Sequence, residues 1–160
     1  MRESGGDRRG LSDEELTALD GYSLDDYAIL NKALRGDLPA EDLRIPQPYI
    51  ETINSALSKL PDFPGRVRRG TNMPAKELRR HQAGSEISYA GYTSASLGEG
   101  FRQDVRIELE SRTGKLIEFV SAIPWEREIL FAPGKRFRVT ERIDIAGKTY
   151  LRMPELQEEQ

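Results

Sequence analysis

The chain has no cysteine, which removes disulfides, zinc–thiolate sites and thiol nucleophiles and leaves a fold that tolerates either redox compartment. It has one histidine, His81, too few for a histidine metal cluster. With Arg79 and Arg80 beside it in a polar helical stretch, His81 reads as a solvated surface residue. No segment approaches the roughly 18 unbroken apolar residues that span a bilayer, so no membrane segment is expected. Neither a G-x-G-x-x-G nor a G-x-x-x-x-G-K-[ST] loop occurs, which speaks against an ordinary Rossmann or P-loop nucleotide site. The net charge of −3 is wrong for a broad nucleic-acid-binding face, though it leaves room for a local basic groove. Residues 1–10 are polar, glycine-bearing and basic with no apolar run behind them, unlike a secretory signal, and are read as a disordered lead-in.

What remains is enough for one domain. In 160 residues, 37% are hydrophobic and 32% charged, a composition that can build a modest core. Ser12 with Glu15 forms a capping-box pattern ahead of Leu16 and Leu19, and Gly21 stops that helix. A second helix is expected from about Ser23 to Arg35, with Gly36 as its stop. A third amphipathic stripe runs from Tyr49 to Leu60. Gly65–Gly70 reads as a short strand, and Pro74–Gln82 as one more helix. Beyond Gly84 the period changes to two: Val105, Ile107 and Leu109 alternate with charged residues, and Phe137 and Val139 follow. Turn-like segments separate the strands at Arg112–Lys115, Pro133–Lys135 and Ala146–Lys148. Helices first and a mainly antiparallel β-rich half second define the α+β class. The expected domain covers 11–154, with 155–160 as a polar tail.

Three short segments carry chemistry. Glu126-Arg127-Glu128 precedes an apolar strand, and on a strand residues two apart share a face. Paired carboxylates on one rigid element can divide labour between a glycosidic centre and an incoming nucleophile; the alternative is a solvated strand edge. Gly91-Tyr92-Thr93-Ser94-Ala95-Ser96 sets hydroxyls at alternate positions, where they can bond a carboxylate or simply form a serine-rich turn. Val67-Arg68-Arg69-Gly70 offers a permanently charged planar fork suited to phosphate, beside a glycine that permits close approach.

Taken in order, these segments resemble the Arg-Ser-Glu class of mono-ADP-ribosyltransferases, whose motifs run V-x-R-G, aromatic-x-S-T-S and E-x-E. Tyr27-Ala28-Ile29-Leu30-Asn31-Lys32-Ala33-Leu34-Arg35 is similar to the family's helix bordering the NAD⁺ site, and the resemblance spans roughly residues 11–150. Two departures stand out: Ala95 replaces the usual threonine, and Arg68 replaces an aromatic or aliphatic residue and so competes with Arg69. The resemblance implies helices packed on two abutting, mainly antiparallel sheets around an NAD⁺ cleft, with NAD⁺ as co-substrate and no metal. It implies that Arg69 grips the diphosphate or ribose, that Gly70 approaches nicotinamide, that Ser94 orients Glu128, and that Glu128 stabilises the oxocarbenium-like transition state. Glu126 would align an arginine acceptor, with Trp125 near the target and Phe101 stacking on nicotinamide. Asn31 and Arg35 would be weaker NAD⁺ contacts. The resemblance further implies a delivered bacterial toxin or effector, with a target protein in a recipient cell and a cognate immunity protein. Transfer to nucleic acid, NAD⁺ hydrolysis alone, or a silent NAD-binding module are the competing outcomes.

Overall fold

The computed structural model describes residues 10–22, 27–37, 46–97, 103–117 and 127–157. Ser12 caps α1 (Asp13–Gly21) through the expected box: Glu15 N–H donates to Ser12 Oγ at 3.1 Å, and Ser12 N–H donates to Glu15 Oε1 at 2.8 Å. Glu15 does more than cap. Ser55 Oγ donates to it at 2.7 Å and Lys59 Nζ at 2.9 Å, so this buried carboxylate clips α1 to α3 (Pro46–Lys59). The Ser12 backbone hydrogen bond, then Ser55 and Lys59, hold its pKa down at about 2 from 4.5. A depressed carboxylate stabilises the fold above its unfolded value and loses that contribution as pH falls from about 4.5 toward 2. Glu15→Gln is therefore expected to lose about 2 kcal/mol at neutral pH and to flatten the acid limb, as read by urea unfolding at pH 7 and pH 3.

Helix α3 begins at Pro46, three residues before the amphipathic stripe suggested, because Pro46 and Pro48 sit in its first turn, where no backbone donor is needed. Together with α2 (Tyr27–Leu34), these helices bury Leu16, Leu19, Leu30, Ile50, Ile53 and Leu57 in one core that continues onto Tyr92, Ile117 and Leu130 of the β-half.

The large sheet has the order β5 (Lys115–Leu116), β6 (Glu128–Phe131), β3 (Thr93–Ser96), β1 (Gly65–Thr71), β4 (Val105–Ser111), β9 (Lys148–Pro154), β8 (Glu141–Ile145). Every pairing is antiparallel except β4 with β9. A second sheet pairs β2 (Glu86–Ser88) with β7 (Arg136–Arg138), and α4 (Ala75–Arg80) lies between β1 and β2 in sequence. A second core fills the space between the sheets: Val67, Ile107, Leu109, Ile129, Phe131, Phe137 and Met153, with the Phe131 and Phe137 rings 5.4 Å apart edge-to-face. This is the α+β arrangement with two abutting sheets.

The turn joining β8 to β9 holds only Ala146 and Gly147, at φ 54 and 79. Two consecutive left-handed residues make a type I′ hairpin, whose first position favours asparagine. Ala146→Asn is expected to raise stability by about 0.5–1 kcal/mol, a gain of about 2 °C in melting temperature.

Two expectations are overturned by packing. His81 is fully buried, not solvated. Helix α4 ends at Arg80, so His81 leaves the polar face of its neighbours: Nδ1 donates to Glu77 O at 2.9 Å, Nε2 accepts from the Tyr89 hydroxyl at 2.8 Å, and the two rings stack. Burial lowers its pKa and keeps it neutral. Glu155 does not begin a polar tail. It is 4% exposed, and its carboxylate accepts from the Arg112 and Thr113 N–H groups at 2.7 and 2.8 Å, holding the turn after β4.

Candidate active site

Strand β3 lies between β6 and β1, and its register places the polar groups. Ser96 pairs with Glu128 and Ser94 with Leu130, so Ser94, Ser96, Glu128 and Leu130 share one face. Leu130 belongs to the helical core, so this face looks toward the helices. Ser94 is diagonal to Glu128, within reach of a long side chain. Its hydroxyl donates to Glu128 Oε2 at 2.6 Å, short as befits a charge-assisted bond. The other face of β3 carries Thr93 and Ala95, both buried. Ala95 is 5% exposed and lies in the core between the sheets, so alanine there removes no hydroxyl from the Ser94 face.

The β3–β1 ladder holds a single register pair, Arg68 with Ser96, whereas β1 and β4 pair along their whole length. Past that pair, Arg69 Nη1 reaches across and donates to Ser94 O at 2.8 Å. One strand segment thus carries both contacts: Ser94 gives its carbonyl to Arg69 and its hydroxyl to Glu128. Burial pulls the Arg69 pKa below its usual value, and the nearby Tyr89 and Tyr22 hydroxyls oppose that shift; a guanidinium stays charged regardless. Tyr89 is in turn pushed up to about 12 by burial, against the pull of Arg69. Arg68 alternates with Arg69 along β1 and is in register with Ser96 and with Glu108 of β4, so the pairing sets Arg68 on the face that carries Ser94 and Glu128, while Arg69 meets Ser94 through its backbone carbonyl.

Strand β6 begins at Glu128, and Arg127 before it has φ 51, the left-handed region. The period-two argument that set both carboxylates on one face therefore does not run through Arg127. Leu97 N–H donates to Arg127 O at 3.3 Å, tying that turn to the end of β3. Glu126, Trp125 and Phe101 lie outside the described residues. Arg35 stands half exposed at the end of α2, its Nε 3.4 Å from Asp37 Oδ2. Asn31 turns inward, accepting from Tyr92 N–H at 2.7 Å.

A family model described as ADP-ribosyltransferase exoenzyme matches residues 5–156. The chain belongs to that family. It is 36% identical over 146 residues to the NAD(+)–protein-arginine ADP-ribosyltransferase Tre1 of Serratia proteamaculans, covering 88% of this chain and 32% of that protein. The chain thus spans about a third of the length of this curated relative. Among solved structures, the type III effector XopAI of Xanthomonas axonopodis pv. citri superimposes with a TM-score of 0.83 at 26% identity, over 98% of this chain and 73% of that one. The ADP-ribosyltransferase Vis in complex with agmatine, from Vibrio splendidus, superimposes with a TM-score of 0.78 at 25% identity, over 92% and 76%.

In this ADP-ribosyltransferase family member, three neighbours of the motifs escaped sequence reasoning: Tyr22, Asn54 and Tyr89. Tyr22 and Asn54 lie far from the motifs in sequence and meet them only through helix packing. Tyr89 carried a weak local signal, since it stands just ahead of the Gly91–Ser96 segment. Among the described residues, no cluster of three histidine, aspartate or glutamate side chains is arranged to hold a metal.

Proposed function

We propose that this domain transfers ADP-ribose from NAD⁺ to an arginine side chain of a target protein. The observation that carries the reading is the hydrogen bond of 2.6 Å from Ser94 Oγ to Glu128 Oε2, on the same strand segment that receives Arg69. A carboxylate fixed by a hydroxyl, on the strand segment whose carbonyl also receives a guanidinium, matches a substrate with a diphosphate and a cationic nicotinamide ring that leaves neutral.

The chain's residues then divide the work. Arg69 uses one N–H on Ser94 O and offers the rest of its fork to the diphosphate. Gly70 follows directly, and its backbone meets the nicotinamide amide. Glu128, oriented by Ser94, bonds the ribose 2′-hydroxyl and stabilises positive charge at C1′ as the bond from C1′ to the nicotinamide nitrogen breaks. Nicotinamide leaves neutral with that electron pair. A guanidinium nitrogen of the acceptor forms the new C1′–N bond, and Glu126 takes its proton as the bond forms. Because a guanidinium is not deprotonated beforehand, that proton transfer accompanies bond formation.

The arginine acceptor is supported by the name of the Tre1 relative and by the agmatine bound to Vis, a guanidinium compound. A relative described as a type III effector supports a delivered bacterial effector acting on a protein of the recipient cell; a cognate immunity protein belongs to the same proposal. Incubation with labelled NAD⁺ and agmatine tests the reaction: labelled ADP-ribosylagmatine supports arginine transfer. Free ADP-ribose alone would make the domain an NAD⁺ glycohydrolase, and label in RNA or DNA would overturn the protein acceptor.

A further inference from the structure

Strand β3 has little to hold it in place on the β1 side, where one register pair forms. Its lead-in is instead fastened to the helices. Asn31 of α2 accepts from Tyr92 N–H through Oδ1 at 2.7 Å, and its Nδ2 lies 3.4 Å from the Tyr22 hydroxyl. Gly91 packs against the same carboxamide: a Cβ added there would lie 2.5 Å from Asn31 Oδ1 and 3.0 Å from Cγ. Tyr92 itself is buried. Its hydroxyl donates to Asn54 Oδ1 of α3 at 2.6 Å, with Ile50 O 3.3 Å away, and its ring meets Tyr22 edge-on at 5.1 Å. The backbone just before Ser94 is thus pinned by α2 and its side chain by α3.

We infer that Asn31 is a positioning residue, holding β3 at the height that lets Ser94 reach Glu128, and not a nucleotide contact. The reason is occupancy and placement. Its carboxamide oxygen is taken by a backbone donor two residues ahead of Ser94, and it can sit there because residue 91 has no Cβ to displace it. A shift of β3 along its axis carries the Ser94 hydroxyl and the carbonyl that receives Arg69 together, so both site contacts loosen at once. This inference rests on the transferase reading above.

The test is steady-state transfer to agmatine by purified wild type, Asn31→Leu, Asn31→Asp and Gly91→Ala, with amide hydrogen exchange at Tyr92 and melting curves alongside. Loss of the acceptor in Asn31→Leu is expected to lower kcat by about tenfold to a hundredfold, the scale of a small misplacement in a preorganised site, with KM for NAD⁺ nearly unchanged. Asn31→Asp keeps an acceptor oxygen and is expected to recover most of the loss and the Tyr92 amide protection. Gly91→Ala displaces the carboxamide and is expected to reproduce the kcat defect, with little further effect when added to Asn31→Leu. A raised KM with unchanged kcat in Asn31→Leu would make Asn31 a nucleotide contact and overturn the inference. So would unchanged kcat, or an Asn31→Asp variant as impaired as Asn31→Leu. Wild type that consumes no NAD⁺ overturns the transferase reading and the inference with it; active wild type with an unaffected Asn31→Leu kcat overturns the inference alone.

Discussion

Glu128→Gln is expected to lower kcat for transfer to agmatine by about a thousandfold, the scale of removing a preorganised electrostatic partner of the transition state, while leaving melting temperature unchanged. Glutamine has the same shape, and its carbonyl oxygen can still accept the Ser94 hydroxyl that lies 2.6 Å from Glu128 Oε2. What it lacks is the negative charge that opposes the positive charge growing at C1′ as nicotinamide departs. Binding of intact NAD⁺ needs less of that charge, so KM is expected to move by only severalfold. Ser94→Ala should lie between wild type and Glu128→Gln, because it removes the orienting bond and leaves the carboxylate. A Glu128→Gln variant with near wild-type kcat would remove Glu128 from the reaction.

Gly114→Ala is expected to destabilise the fold by about 3 kcal/mol and lower its melting temperature by roughly 10 °C. The added methyl would lie 2.6 Å from Ile129 Cγ2, 2.8 Å from Ser111 Oγ and 3.0 Å from Phe131 Cε1. Ile129 and Phe131 are fully buried, so the clash has no flexible end to push aside. Ser111 is also committed, since its hydroxyl donates to Phe63 O at 2.6 Å and accepts from Gly114 N–H at 3.1 Å. Gly134→Ala is the control: its φ of 83 brings backbone strain, but nothing lies within 4 Å of the new Cβ, so its cost should be about 1–2 kcal/mol. Equal melting temperatures for the two alanine variants would refute the packing argument.

The two variants differ in how far the sequence foretells them. Glu128 stands in a segment whose order with Arg69 and Ser94 resembles a family. Local chemistry also gave the capping box at Ser12, the helix stops and the period-two strands, because those signals lie within one turn or one alternation of the residues that produce them. Gly114, in contrast, reads only as part of a turn between Arg112 and Lys115. That it must be glycine follows from Ile129 and Phe131, about fifteen residues onward.

The same division separates the other outcomes. The arginine neighbours of His81 suggest solvent, but its burial comes from Tyr89 and from a helix that stops one residue earlier. Nothing local announces that Arg127, just ahead of Glu128, adopts a left-handed conformation. Asn31 and Tyr92 lie 61 residues apart along the chain and meet only once the helices pack on the sheet. The sequence by itself determined the α+β class, the caps and turns, and the ordered segments that name the family. Only the tertiary structure decided which hydroxyl meets which carboxylate, which arginine reaches Ser94 O, which glycine has no room for a methyl, and what fastens β3. Those depend on register and on contacts between distant segments, and neither is written in the spacing of neighbouring residues.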